Sequence, residues 1–179
     1  QRQVQFIHTD IGMSKAQIMG DTLEDLNPDC HVTRKAFRIT ARNARETLSG
    51  HDVILDGTDS FETRFVVNEA SLTLGIPLVS AALGRFDMQL GVFNTTPDAP
   101  CYQCFVPTLP PNGETCGSLG VIGALAGMAG SMMAMEAVKL ITGAGKPLIG
   151  RVLLISGLSG ESRTVALRRD PACPVCAIR

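Results

Sequence analysis

The spacing of apolar positions changes period several times along the 179 residues, and each change predicts an element. Residues 1–12 show no clear period and read as irregular. Ala16, Met19, Leu23 and Leu26 recur at intervals of three and four, as on one helix face. Ser14 is the candidate N-cap and Pro28 the stop. Val32, Arg34 and Ala36 alternate and predict a strand over 31–37. Thr40 is placed to cap a short helix through Leu48, closed by Gly50. The run Val53-Ile54-Leu55 is short, continuous and apolar, and it ends in small and acidic residues at Asp56-Gly57-Thr58-Asp59. That is the pattern of a buried parallel strand running into a loop. A helix over 61–74, ended by Gly75, and a strand over 76–82 complete a strand–helix–strand unit.

Met88, Leu90 and Val92 alternate, predicting a strand over 86–94 in an antiparallel hairpin. Pro107, Pro110, Pro111 and Gly113 rule out regular structure and predict a crossover loop. A long apolar helix is expected over 117–141, ended by Gly143-Ala144-Gly145. Glu136 and Lys139 within it favour a buried helix over a membrane span. Segments 151–156 and 163–167 read as a final hairpin. The expected class is α/β: one domain over 1–179 with a Rossmann-like, mostly parallel sheet and antiparallel C-terminal strands. In such sheets ligands bind beyond the carboxyl ends of strands, which places Asp56, Thr58, Asp59 and residues 80–82 on one rim.

Composition narrows the partners. A formal net charge of −1 argues against nucleic acid or an anionic membrane. Tryptophan is absent and aromatics are scarce, so no base-stacking platform is visible. The polar start lacks the apolar core of a signal peptide. Cysteines grouped as for a metal, without such a signal, suggest a reducing cytoplasm. The chain does not begin with Met, and a fragment is expected.

Two motifs carry most of the chemistry: Cys101-Tyr102-Gln103-Cys104 and Cys173-Pro174-Val175-Cys176. Two facing CxxC turns make a closed tetrahedral thiolate site suited to structural Zn²⁺. The competing readings are unrelated thiols or a redox CxxC. A redox motif opens a helix just after a strand, whereas Cys101 follows Pro97-Asp98-Ala99-Pro100. Asp59, past a strand end, suits either Mg²⁺ or the cap of the next helix. Asp56 can simply satisfy turn amides. Lys15 opposes the dipole of its helix, so it is either solvated or paired with phosphate. Arg2 has the same two readings. Cys116 precedes a helix, where a thiol is activated, and reads either as a nucleophile or as inert. Cys30 and the three histidines show no constellation.

Taken in order, Gln1-Arg2-Gln3, Lys15, Leu26-Asn27-Pro28, Asp56-Gly57-Thr58-Asp59-Ser60, Arg64 and Asn68 resemble the ThiF/MoeB/HesA family of bacterial relatives of ubiquitin-activating enzymes. The resemblance continues through both CxxC motifs, Thr115-Cys116 and Glu136-Ala137-Val138-Lys139-Leu140. It implies an adenylyltransferase that uses ATP and Mg²⁺ on the C-terminal Gly-Gly of a ubiquitin-like sulfur-carrier protein, in thiamin, molybdopterin or a related pathway. It implies Arg2 and Lys15, with Gln3, at the nucleotide, Asp59 at Mg²⁺, and Cys101, Cys104, Cys173 and Cys176 at Zn²⁺. It also implies a homodimer, and Cys116 as a persulfide- or thioester-forming thiol. The family's Gly-rich loop, which cradles the nucleotide through backbone amides, has no counterpart here. The expectation is therefore a chain lacking the first strand–helix–strand unit. That absence favours an alternative, a non-catalytic zinc-stabilised module that binds a ubiquitin-like protein. Arg2, Lys15 and Asp59 favour the enzyme. A dinucleotide oxidoreductase needs the same loop and lacks any hydride-transfer constellation.

Overall fold

A computed structural model describes residues 2–109 and 120–177. The chain divides into two compact units, Gln1–Arg38 and Ile39–Arg179. In the first, a 3₁₀ turn at His8–Asp10 precedes helix α1, Lys15–Leu26. Ser14 caps α1 as the spacing predicts, its hydroxyl accepting from the Gln17 amide at 3.4 Å. The segment 31–37 is not a strand, despite its alternation. Its polar groups turn back onto α1 instead of pairing in a ladder. The Val32 amide donates to Glu24 Oε1 at 3.2 Å, and the Arg34 guanidinium pairs with Asp21 at 2.8 Å and Glu24 at 2.6 Å. Arg34 crosses α1 at Gly20, where a Cβ would overlap the Arg34 side chain.

The second unit is a five-stranded sheet in the order β1 (Ile54–Asp56), β2 (Leu78–Leu83), β3 (Asp87–Phe93), β4 (Arg151–Ser156) and β5 (Ser162–Ala166). β1 and β2 are parallel, with Asp56 opposite Ser80. The connection between them is helix α3 (Phe61–Leu74), which follows the short α2 (Ala44–Leu48). The predicted start of α2 at Thr40 shifts to Ala44, because residues 40–43 form a turn in which Asn43 Oδ1 accepts from the Thr40 amide. Gly75 ends α3 with φ +69°, a conformation that favours glycine. Among the described residues the β2–β3, β3–β4 and β4–β5 strand pairings are antiparallel, and β1–β2 is the parallel strand pair.

Alternation sorts the strands onto two faces. Val79, Ala81, Met88, Leu90 and Val92 pack against Leu125, Ala129 and Met133 of the long helix α5 (Gly123–Thr142). A one-turn helix, α4 (Tyr102–Phe105), precedes it. Leu78, Phe93 and Val152 face the other way, with Val67 of α3 and Tyr102. α5 is long and apolar enough to cross a membrane by length and composition. It is buried on one side only, since the sheet covers that side: Met135 and Ile141 are exposed, while Glu136 is buried. Glu136 ion-pairs with Lys139 and accepts from the Leu148 amide at 2.8 Å. This satisfies the buried carboxylate locally.

α3 also buries polar groups. Asn68 Oδ1 accepts from Asn94 Nδ2 at 3.2 Å and the Tyr102 amide at 2.9 Å, and its Nδ2 donates to Gln103 at 3.3 Å. Asn68→Leu is expected to cost about 2–4 kcal/mol by leaving these buried groups unpaired; urea unfolding measures it, and a loss under about 1 kcal/mol contradicts the network's role. In the first unit, the Arg34 hydrogen bond, then the Val32 amide, hold the Glu24 carboxyl below its ordinary 4.5. A depressed acid adds stability above its unfolded value and loses it as pH falls through the folded one. Thermal melting of Glu24→Gln is therefore expected to fall less than wild type as pH drops below about 4.5. The effect is small because the pair is half-exposed and screened by solvent, and parallel pH curves would exclude it.

Candidate active site and four-cysteine centre

The two CxxC turns meet. Cys101 caps α4, and Cys173 and Cys176 lie in the turn following β5. Sγ–Sγ distances are 3.6 Å for Cys101–Cys173, 3.4 Å for Cys104–Cys176 and 3.9 Å for Cys101–Cys104. All four sulfurs lie within 4.8 Å of one another. A tetrahedral Zn²⁺ with bonds of about 2.3 Å has sulfur–sulfur edges of about 3.8 Å, so the donor set fits that ion. Burial pushes the Cys101 and Cys104 thiols up, and neighbouring sulfurs add to it. Burial also acts on Cys173, but hydrogen bonds from the Cys176 and Val175 amides and from the Cys176 and Cys101 thiols together outweigh it and lower that thiol. The Asp170 amide donates to Cys104 Sγ at 3.4 Å. Amide donors of this kind suit thiolates held by a cation. Cys101 opens a helix, but not just after a strand, since β3 ends at Phe93. That helix is four residues long, and the sulfurs facing Cys101 and Cys104 come from 72 residues away.

The rim at the carboxyl ends of β1 and β2 forms as expected. Asp56 Oδ1 accepts from the Thr58 amide at 2.9 Å and the Thr58 hydroxyl at 2.7 Å, while Oδ2 is buried with no hydrogen-bond partner among the described residues. Ser60, not Asp59, caps α3, its hydroxyl accepting from the Thr63 amide at 3.2 Å. The cap alternative for Asp59 is thereby displaced. The Asp59 carboxylate is exposed and lines a cavity of about 1010 Å³. A free carboxylate past a strand end fits Mg²⁺, which prefers one or two such ligands plus substrate phosphates. The cavity's lining includes an in-register row across four strands: Ala82 opposite Gln89, Gln89 opposite Leu154, Leu154 opposite Arg163.

In the first unit Lys15 Nζ donates to Gln3 Oε1 at 2.7 Å and lies 5.8 Å from the centre of the Phe6 ring. Arg2 is exposed. These three belong to a different unit from Asp59. Cys116 and part of the predicted crossover loop fall outside the described residues.

Sequence reasoning gave Arg64 no role. Its guanidinium is buried at 4% exposure and borders the cavity. It donates to Ser80 Oγ at 3.1 Å, to the Ala81 carbonyl at 2.8 Å and to the Thr58 carbonyl. Only a charged residue on the first turn of a helix between two parallel strands hinted at this. The row ending at Arg163 was equally hidden, since strand register is not written in alternation.

Solved structures share this fold. Escherichia coli MccB, crystallised with ATP, superimposes with a TM-score of 0.83 at 19% identity, covering 98% of this chain and 54% of that one. This likeness concerns the fold. The profile of the ThiF family matches residues 1–175, and the chain belongs to that family. A sulfur carrier protein adenylyltransferase of Thermus thermophilus is 41% identical over 98% of this chain and 67% of its own length. The SAMP-activating enzyme E1 of Haloferax volcanii is 38% identical over 98% of the chain and 65% of its own. The probable adenylyltransferase/sulfurtransferase MoeZ of Mycobacterium tuberculosis is 39% identical over 97% and 46%. The chain thus spans between about half and two thirds of these relatives.

The protein is expected to bind one Zn²⁺ per chain and to lose it in Cys173→Ser. Elemental analysis reads the metal and thermal melting the consequence; a metal-free protein with unchanged melting would refute a structural role.

Proposed function

We propose that this chain is the adenylating portion of an ATP-dependent enzyme that activates the C-terminal glycine of a ubiquitin-like sulfur-carrier protein. The supporting observation is the uncapped Asp59 carboxylate on the strand rim of a large cavity, in a member of the ThiF family. In this reaction a carboxylate oxygen of the carrier tail bonds to the α-phosphorus of ATP. The α–β phosphoanhydride bond breaks, and pyrophosphate leaves. Negative charge accumulates at phosphorus, and fixed cations stabilise it. Asp59 would hold Mg²⁺, which supplies charge to the phosphates when bound. Arg2 and Lys15 would hold phosphate oxygens, with Gln3 fixing the Lys15 ammonium. The cavity's volume of about 1010 Å³ leaves space for an extended tail. Homodimerisation, a cytoplasmic location, the pathway, and a sulfur-carrying role for Cys116 are parts of the proposal that rest on the family alone.

The non-catalytic module makes the opposite prediction about Asp59. In the full-length protein with its carrier, ATP–pyrophosphate exchange is expected, falling about 10²–10³-fold in Asp59→Ala with zinc content unchanged. Absence of exchange, or exchange indifferent to the substitution, would favour the binding module.

A further inference from the structure

Arg64 poses a problem of charge. A guanidinium has five N–H donors, and Arg64 makes three hydrogen bonds, all to neutral oxygens of Thr58, Ser80 and Ala81. The Tyr102 phenol also lies against the guanidinium, and no carboxylate forms an ion pair with it among the described residues. Asp56, the buried carboxylate of the same rim, spends Oδ1 on Thr58, and no ion pair joins it to Arg64 among those residues. A buried cation without an anion is costly unless something else supplies the anion. Arg64 also borders the cavity, alongside Asp59 and beside the slender Ala82 and Gly84.

We infer that Arg64 binds the terminal carboxylate of the peptide tail that enters this cavity. The inference rests on the adenylation reading and deepens it. That reaction brings two anions together, the triphosphate and the attacking carboxylate. The second needs its own cation if it is to approach phosphorus without repulsion. A planar guanidinium matches a carboxylate better than a point charge does. The three bonds already made hold the guanidinium rigid, so its placement costs nothing when the tail binds. Ala82 and Gly84 leave space there for a chain end, and a terminal glycine pair brings no side chain to fill it. Arg163, at the far end of the in-register row, is exposed and keeps its hydration, so it is the weaker candidate.

The test uses the full-length protein and a short fluorescein-labelled peptide ending in Gly-Gly, either with a free C-terminal carboxylate or with a carboxamide. Anisotropy gives the affinity of each. Wild type is expected to prefer the carboxylate by about ten-fold or more, the scale of a charge-assisted hydrogen bond. Arg64→Gln is expected to abolish the preference, Arg64→Lys to keep part of it, and Arg163→Gln to keep it whole. Thermal melting and zinc content check that the variants fold. General loosening of the site weakens both peptides alike and leaves their ratio intact, so the ratio separates binding from structure. A preference that survives Arg64→Gln overturns the inference, as does one abolished only by Arg163→Gln. Loss of ATP affinity with the peptide ratio unchanged assigns Arg64 to the nucleotide and also overturns it. Equal binding of both peptides by wild type rejects the carboxylate contact but leaves tail binding standing. Binding of neither peptide removes the carrier-tail reading together with the inference.

Discussion

The larger unit is registered to a stripe of buried polar groups on one helix. Arg64, Asn68 and Ser71 of α3 follow one another at four and three residues, and all are buried. A buried donor or acceptor left unpaired costs more than its bond is worth, so each dictates where a neighbour sits. Arg64 holds the loop after β1 against β2. Asn68 holds the Tyr102 amide and Gln103, and so sets the first cysteine turn. The Ser71 hydroxyl donates to the Ile76 carbonyl at 2.6 Å, where the chain turns into β2. One helix face thus aligns the rim, the cysteine turn and the parallel strand pair.

The four-cysteine centre closes the same arrangement from the other side. Its first turn sits on Asn68, and its second arrives from the end of the chain, so the middle segment and the C-terminal hairpin share an anchor. Tyr102 lies between Cys101 and Cys104, and its ring meets Phe93 edge-on at 5.6 Å. Its phenol is pushed up chiefly by burial, with Arg64 opposing and Asp56 reinforcing. The metal-type centre and the rim are therefore neighbours through a single side chain. Rigid support of this kind is what a site needs if its carboxylate and guanidinium are to be preorganised.

Much of this was legible in the residues. The β1–α3–β2 unit follows from a short apolar run, a capped helix and a glycine stop, all local signals. The CxxC pairs announced their partnership because few other arrangements satisfy four thiols. Segment 31–37 misled, because alternation reports only that two faces differ. Whether a ladder forms depends on a neighbouring strand, and here Arg34 and the Val32 amide are taken by α1. Asp59 was ambiguous for a related reason: two adjacent residues, Asp59 and Ser60, can each cap α3. Only the backbone geometry chose Ser60.

By itself the sequence determined what local chemistry determines: the limits of α1 and α3, the parallel strand pair, the thiol set and the family. The tertiary structure decided what depends on register and burial. It brought Ala82, Gln89, Leu154 and Arg163 into one row, since pairing across strands is set by the whole sheet. It also turned Arg64 from an ordinary helix-surface cation into a desolvated one at the edge of a cavity. The charge of that residue was visible from the start. Its meaning came from the loss of water around it, which no single stretch of chain encodes.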